Sequence, residues 1–431
     1  MDLEDESLTH VRNLVQSFCD KIQLKVISQA NSEFNTSEED LSISSSSVLS
    51  TTTNDPSSEL QFLLRSTQLE LKLSQEREQQ LDKQLRALQQ AFTSEVQLRK
   101  SVHDELMEAK GNIRVFVRQR PNTTGGGSTI KLLPTQASVV HLASERKFEF
   151  DACIDVDASA ETIFEQQVAP FVVSAMDGRN VTLVAYGQTG SGKTYTMEGT
   201  KHSPGVYSRS LQRAFDLAEA RQGREKFNFT VSILQVYNDH LQDLLAPTAG
   251  GNGGDRLEIH TDERKRVYVK HLSQMPVSSS KQVEALLHLA SQRRSVGAHA
   301  LNESSSRSHL VLMLDISGRN KMTFIDLAGS ERAKDTEAVG ERFRESQHIN
   351  KSLSCLGDVL QSMGDKTKTH HPFRNSKLTF LLQDCFGRHG KVAFFACISP
   401  EQQFSTETFG TLAFAERIRK VELGGGIVKR S

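Results

Sequence analysis

Eight residues set the strongest limit on what this chain can fold into: Gly187-Gln188-Thr189-Gly190-Ser191-Gly192-Lys193-Thr194. They fit G-x-x-x-x-G-K-[ST], a loop whose backbone N–H groups close around phosphate oxygens. Such a loop needs a strand before it and a helix after it. Val181-Thr182-Leu183-Val184-Ala185-Tyr186 is short, apolar and β-branched enough to be a buried strand. Tyr195 to Glu198 opens a helix, whose N-terminal dipole favours negative charge. In that setting Lys193 reaches the β- and γ-phosphates and the Thr194 hydroxyl ligates Mg2+. A glycine-rich turn that binds nothing is the alternative, and the flanking strand and helix argue against it.

The 431 residues leave room for one large α/β domain plus extensions. Net charge is −1, but residues 1–58 carry ten acidic and three basic side chains, so the remainder carries +6. A mildly basic body suits an acidic partner surface, and ordinary charge scatter explains it as well. Five cysteines (Cys19, Cys153, Cys355, Cys385, Cys397) show no C-x-x-C, which argues against a disulfide framework or zinc site. The acidic start, Met1-Asp2-Leu3-Glu4-Asp5-Glu6, is unlike a secretory or mitochondrial signal. No apolar run approaches the roughly 20 residues of a membrane span, so a soluble, intracellular chain without membrane insertion is expected.

Leu8, Val11, Val15, Phe18 and Ile22 fall at helical spacing, which leaves a docking helix and an unstable isolated one both open. Eleven Ser/Thr in the eighteen positions 41–58 cannot bury enough apolar area to order themselves, and 1–58 reads as an acidic, mostly disordered segment. From Glu59 to Lys110 there is neither proline nor glycine, which predicts one long helix over 59–110. Leu60, Leu64, Leu71, Leu81, Leu85, Leu88, Phe92, Val102, Leu106 and Ala109 occupy heptad a or d seats. Glu78, Glu95 and Arg99 are charged residues in the same seam. The pattern allows a coiled-coil stalk and leaves homodimer, heterodimer and solvated single helix open. Gly111 ends it, and Ile113-Arg114-Val115-Phe116-Val117-Arg118 reads as the first strand of a globular domain over 111–423. Residues 424–431 read as a flexible tail.

Two further motifs complete a nucleotide switch. Asn302-Glu303-Ser304-Ser305-Ser306-Arg307-Ser308-His309 is a polar loop before an apolar strand. Met322-Thr323-Phe324-Ile325 runs into Asp326-Leu327-Ala328-Gly329-Ser330-Glu331. Asp326, at a strand's C-terminal end, is placed to hold Mg2+ through water, and the Gly329 N–H to sense a γ-phosphate. Loops held by phosphate and metal relax after hydrolysis.

The three motifs, Ala185-Tyr186-Gly187 through Gly199, Asn302 through His309 and Asp326 through Glu331, closely resemble those of the kinesin family. The likeness continues through His348-Ile349-Asn350-Lys351-Ser352-Leu353, Phe373-Arg374-Asn375-Ser376-Lys377-Leu378-Thr379 and Thr411-Leu412-Ala413-Phe414-Ala415. It implies a P-loop NTPase motor domain with a central, mostly parallel sheet flanked by helices, hydrolysing ATP with Mg2+ and stimulated by microtubules. By the same resemblance Arg118, Arg120 and Pro121 form the adenine side of the pocket and Tyr195 stacks on the base. Thr194 and Ser306 look like Mg2+ ligands, and Ser305 would position the attacking water. Arg307 and Glu331 would pair to close the two switches. Asn350 lies on the helix that couples the pocket to the microtubule. Lys270, Lys334, Arg342, Arg344, Lys351, Arg374 and Lys377 would face tubulin. A nucleic-acid partner fits poorly, since no binding module or aromatic interleaving is present.

A helix before the motor, with the junction Ala109-Lys110-Gly111-Asn112-Ile113-Arg114-Val115, is similar to the neck of C-terminal-motor kinesins (class fourteen, Ncd-like). That resemblance implies minus-end-directed movement in the cytoplasm, on microtubules or the spindle. A weakly motile or non-motile microtubule-bundling protein is the alternative. A GTPase is a third, though no N-K-x-D guanine motif is present. The sequence departs from the family at Gln235 and Asp239, where Glu is usual, at Val206-Tyr207, where Ile-Pro is frequent, and near His299.

Overall fold

The computed structural model describes residues 56–421 apart from 224, 247–255, 264–265, 297–305, 332–340, 366, 369 and 388–389. The readings made for 1–55 and 424–431 lie outside the described residues. The chain divides into two units after Ala91. Helix α1 (Pro56–Ala109) begins three residues before the expected Glu59. Proline suits a first helical position, because the N–H it lacks would have no intrahelical partner there. In the first unit the seam leucines Leu60, Leu64, Leu71, Leu81, Leu85 and Leu88 are all exposed. Gly111, at φ +98°, lets the chain leave the helix. No helix among the described residues is long and apolar enough to cross a membrane.

The second unit is built on strands β1 (Ile113–Gln119), β5 (Ala152–Ile154), β6 (Val181–Tyr186), β7 (Phe229–Tyr237), β8 (His240–Asp243), β11 (Met275–Val277), β12 (His309–Ile316), β13 (Asn320–Asp326) and β14 (Lys391–Ile398). Among the described residues they form a nine-stranded sheet in the order β11-β7-β12-β13-β6-β14-β1-β5, with β8 beside β7. Small satellites are β2 (Ile130–Leu133), β3 (Ser138–His141) and β4 (Arg146–Glu149), and the pair β9 (Glu258–Thr261) and β10 (Val267–Lys270). The parallel character expected of the sheet holds where β13, β6, β14, β1 and β5 lie side by side. Beyond β13 it turns antiparallel, so the whole sheet is mixed. The hairpin β12–β13 makes the transition.

Strand alternation sends successive side chains to opposite faces. Val184 and Tyr186 join one core, while Leu183 and Ala185 join the other. The first core is closed by α6 (Glu341–Gly364) and α8 (Ser405–Arg419). The second is closed by α2 (Ala169–Met176), α4 (Val206–Ala220) and α5 (Ser280–Val296). Short helices α3 (Lys193–Met197) and α7 (Lys377–Leu381) follow the phosphate-binding loop and the Asn375 turn.

The last turns of α1 belong to this second unit and dock on it mainly by residues outside the heptad seam. Met107 is 1% exposed. Lys100 pairs with Glu225 at 2.6 Å, and Asp104 with Arg179. Lys391, fully buried at the start of β14, meets Asp104 at 3.0 Å and donates to Asn112 Oδ1 at 2.8 Å. Arg99, a seam residue, instead donates to both Asp177 oxygens at 2.7 and 3.1 Å. Val102 and Leu106 of the seam stay exposed. Removing one partner of a buried ion pair leaves the other charge uncompensated. Lys391 would keep Asn112 and, at 3.8 Å, Glu108, so Asp104→Asn is expected to lower the unfolding free energy by about 1–2 kcal/mol in denaturant titrations. A loss below about 0.5 kcal/mol would show that the pair adds no net stability.

Candidate functional site

The loop between β6 and α3 sits where the fold predicts a phosphate site, beyond the carboxyl ends of parallel strands. A Cβ at Gly187, whose φ is +146°, would run into the Cys397 carbonyl, so only glycine brings the loop this close to β14. Lys193 is 6% exposed and donates to the carbonyls of Gly187 at 3.0 Å and Gln188 at 2.9 Å. Its amine therefore lies under the loop that the sequence assigns to phosphate. Burial pushes its pKa down, against the pull of Asp326 and Glu331.

Strand β13 runs parallel to β6 with Asp326 opposite Ala185. That register sets the carboxylate beside the loop, and Thr194 Oγ1 donates to Asp326 Oδ2 at 2.7 Å. Asp326 is 1% exposed, and its Oδ1 has no hydrogen-bond partner among the described residues. Burial raises its pKa, while the Thr194 bond, Lys193 and Arg294 oppose the rise. A hydroxyl, a carboxylate and an unsatisfied oxygen at one point suit a hard, oxygen-seeking cation such as Mg2+. Gln188 Oε1 and Ser191 Oγ, also buried in the loop, lack partners among the described residues too.

The two switch loops meet each other directly. The Gly329 N–H, expected to sense phosphate, donates to the Ser306 carbonyl at 3.0 Å, and the Ser330 N–H to Gly187 at 3.1 Å. A Cβ at Gly329 would collide with Thr189 and Glu331. Arg307 and Glu331, expected to pair, are held by other partners here. Glu331 accepts from the Thr189 N–H at 2.9 Å and its hydroxyl at 2.5 Å. Arg307 pairs with Glu345 of α6 at 2.5 Å, and Tyr237 also donates to Glu345. In this arrangement the cation of the first switch is bound to the helix after the second, and the anion of the second is bound to the phosphate loop.

Where the resemblance places the adenine, the Arg118 guanidinium lies 4.9 Å over the Tyr195 ring and donates to Thr196 at 3.0 Å. Tyr195 remains 49% exposed, open for stacking. Arg120 is committed elsewhere, to Glu401 at 2.7 Å and Ser399 at 3.2 Å, which leaves its stem rather than its charge to line a pocket. Pro121 is exposed beside it. Asn350 is half-buried on α6. Lys270, Lys351 and Arg374 are exposed and Lys377 half-buried, with the Arg374 guanidinium 5.3 Å over Phe380. Ser305, Lys334 and the side chains of Arg342 and Arg344 lie outside the described residues.

Sequence reasoning missed three groups. His309 is 3% exposed; its Nδ1 accepts from the Ala328 N–H at 2.9 Å, so Nε2 carries the proton and faces Ser352 Oγ at 2.8 Å. Ser352 in turn donates to the Ile349 carbonyl at 2.7 Å. One neutral imidazole thus joins the strand after the first switch, the second switch and α6. Arg294 is 6% exposed and donates to Ser308 Oγ at 3.0 Å and O at 2.6 Å. Ser308 donates to Gln235, one of the family departures, at 3.0 Å. The third group, Glu345, carried no signal beyond its charge. Arg294 did carry one, since it falls at helical spacing on the apolar stripe of Val283, Leu287 and Ala290.

The kinesin motor-domain family profile matches residues 116–421. The kinesin-like protein KIN-14Q of Arabidopsis thaliana is 42% identical over 345 residues, spanning 76% of this chain and 28% of that protein. Kinesin-like protein KIN-14R of Oryza sativa subsp. japonica is 39% identical over 384 residues, spanning 84% and 38%. The chain therefore covers less than half the length of these curated relatives. Among solved structures, the C-terminal motor and motor homology domain of Kar3Vik1, fused to a synthetic heterodimeric coiled coil, aligns with a TM-score of 0.69 at 30% identity, over 84% of this chain and 99% of that one. A KIF14 dimer in a two-heads-bound state, with AMP-PNP and in complex with a microtubule, aligns at 0.66 and 29% identity, over 74% and 96%.

Burial, Arg294 and Lys193 hold His309 down to about 3, against an ordinary 6.5. Between those values the unfolded chain binds a proton that the folded chain refuses. Stability should therefore fall as pH drops from about 6.5 towards 3, by about 1.4 kcal/mol per pH unit. Unfolding midpoints measured from pH 7 to pH 5 test this, and a flat profile would rule out a neutral, buried His309.

Proposed function

The chain belongs to the kinesin motor-domain family, and from that premise we propose that it is an ATP-driven microtubule motor of the class-fourteen type, moving towards minus ends. The observation that carries the reading is the joined geometry of Thr194, Asp326 and the two switch loops, continued through Arg307 and Glu345 into α6. Thr194 and Ser306 would hold Mg2+ directly and Asp326 through water; when bound, the ion offsets phosphate charge and orients the γ-phosphate. Lys193 binds the β- and γ-phosphates once it leaves the Gly187 and Gln188 carbonyls. Ser305 positions the attacking water. The Gly329 N–H turns from Ser306 to the γ-phosphate, and Arg307 moves from Glu345 to Glu331. Closing then expels water and replaces it by fixed dipoles, so that turnover rests on positioning and electrostatics.

Movement of Arg307 releases α6, which carries Asn350 and Lys351. Microtubule contact is assigned to Lys270, Lys334, Arg342, Arg344, Lys351, Arg374 and Lys377. Pairing of α1 with a second helix, as homodimer or heterodimer, is supported by its exposed leucine seam. The segments 59–110, 111–423 and 424–431 then serve as stalk, motor and tail, preceded by the acidic N-terminal segment 1–58. The class supports placement on cytoplasmic microtubules, the spindle among them.

Steady-state ATPase of the full chain with and without microtubules tests the proposal, followed by gliding on polarity-marked filaments. Many-fold stimulation and minus-end gliding are expected. Binding without stimulation would reduce the protein to a microtubule binder. Glu331→Ala should keep ATP binding but cut stimulated turnover by roughly 100-fold, the scale of losing one electrostatic contributor; near-normal turnover would remove Glu331 from the mechanism.

A further inference from the structure

Helix α4 opens with Val206-Tyr207, one of the places where the sequence leaves the family pattern. The tyrosine is 1% exposed. Its ring meets Phe324 edge to face, with centroids 5.4 Å apart at 88°. Phe324 and Asp326 lie two residues apart on β13, so their side chains leave the sheet on the same face. The phenol therefore lies on the face from which the metal-side carboxylate projects. Asp326, Glu198 and Arg294 all act electrostatically on Tyr207, and Arg294 feels both Asp326 and Tyr207 in return.

Tyr207 Oη and Asp326 Oδ1 are both buried and without a partner among the described residues, as is Ser210 Oγ one turn further along α4. The phenol is a donor and the carboxylate oxygen an acceptor. Buried polar atoms are paired with protein or with ordered water in almost every native structure. A water between two polar partners in a closed space is the usual solution. Asp326 Oδ2 is already fixed by Thr194. Fixing Oδ1 as well would lock the carboxylate plane, the setting on which a water-mediated metal contact depends.

We propose that Tyr207 is a positioning residue for Asp326: its hydroxyl, through one buried water, orients Oδ1 and thereby sets how tightly the site holds Mg2+. The proposal rests on the reading of Asp326 as the carboxylate on the metal side. The role belongs to the hydroxyl alone, because the ring's contact with Phe324 needs no oxygen.

The test compares full-length wild type, Tyr207→Phe and Asp326→Asn. Retention of a fluorescent ADP is followed while Mg2+ is titrated against a chelator, and thermal unfolding is recorded without nucleotide. Tyr207→Phe should raise the Mg2+ concentration for half-maximal retention roughly tenfold, the scale of losing an outer contact to a metal site. Excess Mg2+ should restore retention, and the unfolding midpoint should fall by no more than the few degrees that losing one hydrogen bond costs. If Asp326→Asn shifts the Mg2+ midpoint and Tyr207→Phe does not, the proposal fails and the metal reading stands. If neither shifts it, the metal reading fails and takes the proposal with it. A Tyr207→Phe protein that melts early and retains ADP at wild-type Mg2+ would make the tyrosine purely structural, which also overturns the proposal.

Discussion

One hydrogen bond, from Thr194 to Asp326, joins the two segments on which the rest of the site depends. It closes across strands that are already hydrogen-bonded neighbours, with Ala185 opposite Asp326. The positions of the phosphate loop and the second switch are thus set by sheet register, and a one-residue slip would turn every side chain of β13 to the wrong face. Full burial of both sheet faces makes such a slip prohibitive.

Around those roots the charged groups of the switches are held by neighbours within the same small region. Glu331 rests on Thr189, and Arg307 on Glu345. The exchange proposed above for Arg307 would swap one charge-assisted contact for another of similar kind. A ligand would shift such a pair of arrangements only by the difference in its affinity for the two. The His309 chain works differently. Its bonds to Ala328 and Ser352 are buried and neutral, and they tie the second switch to α6 without any ion.

How much of this could be read from sequence follows from how far each signal extends along the chain. The phosphate loop was legible because its residue spacing is dictated by the shape of a phosphate. The long helix was legible because nothing in it breaks a helix, and Gly111 marked its end. Strands β6, β12 and β13 announced themselves as apolar runs between polar loops. The antiparallel half of the sheet did not, since β7 and β12 carry no local sign of which way they run relative to each other. Partner choice was the least visible. Thr189 and Glu331 are 142 residues apart, and Arg307 and Glu345 are 38 apart, so neither contact leaves a pattern in any short window. Arg120 shows the related failure: a motif named its neighbourhood, and only the fold showed Glu401 claiming its charge.

The place of β6 in the sheet also bears on how the molecule comes to be folded. Its neighbours on either side, β13 and β14, come from far along the chain, with Val181 facing both Met322 and Lys391. The β12–β13 hairpin, by contrast, closes across the short turn between Ile316 and Asn320. Loop closure favours the hairpin early and the β6 pairings late. A chain in which only the hairpin had closed would have no cradle for phosphate. A nucleotide can recognise only the completed sheet, so it selects against every incomplete state and slows escape from the finished one.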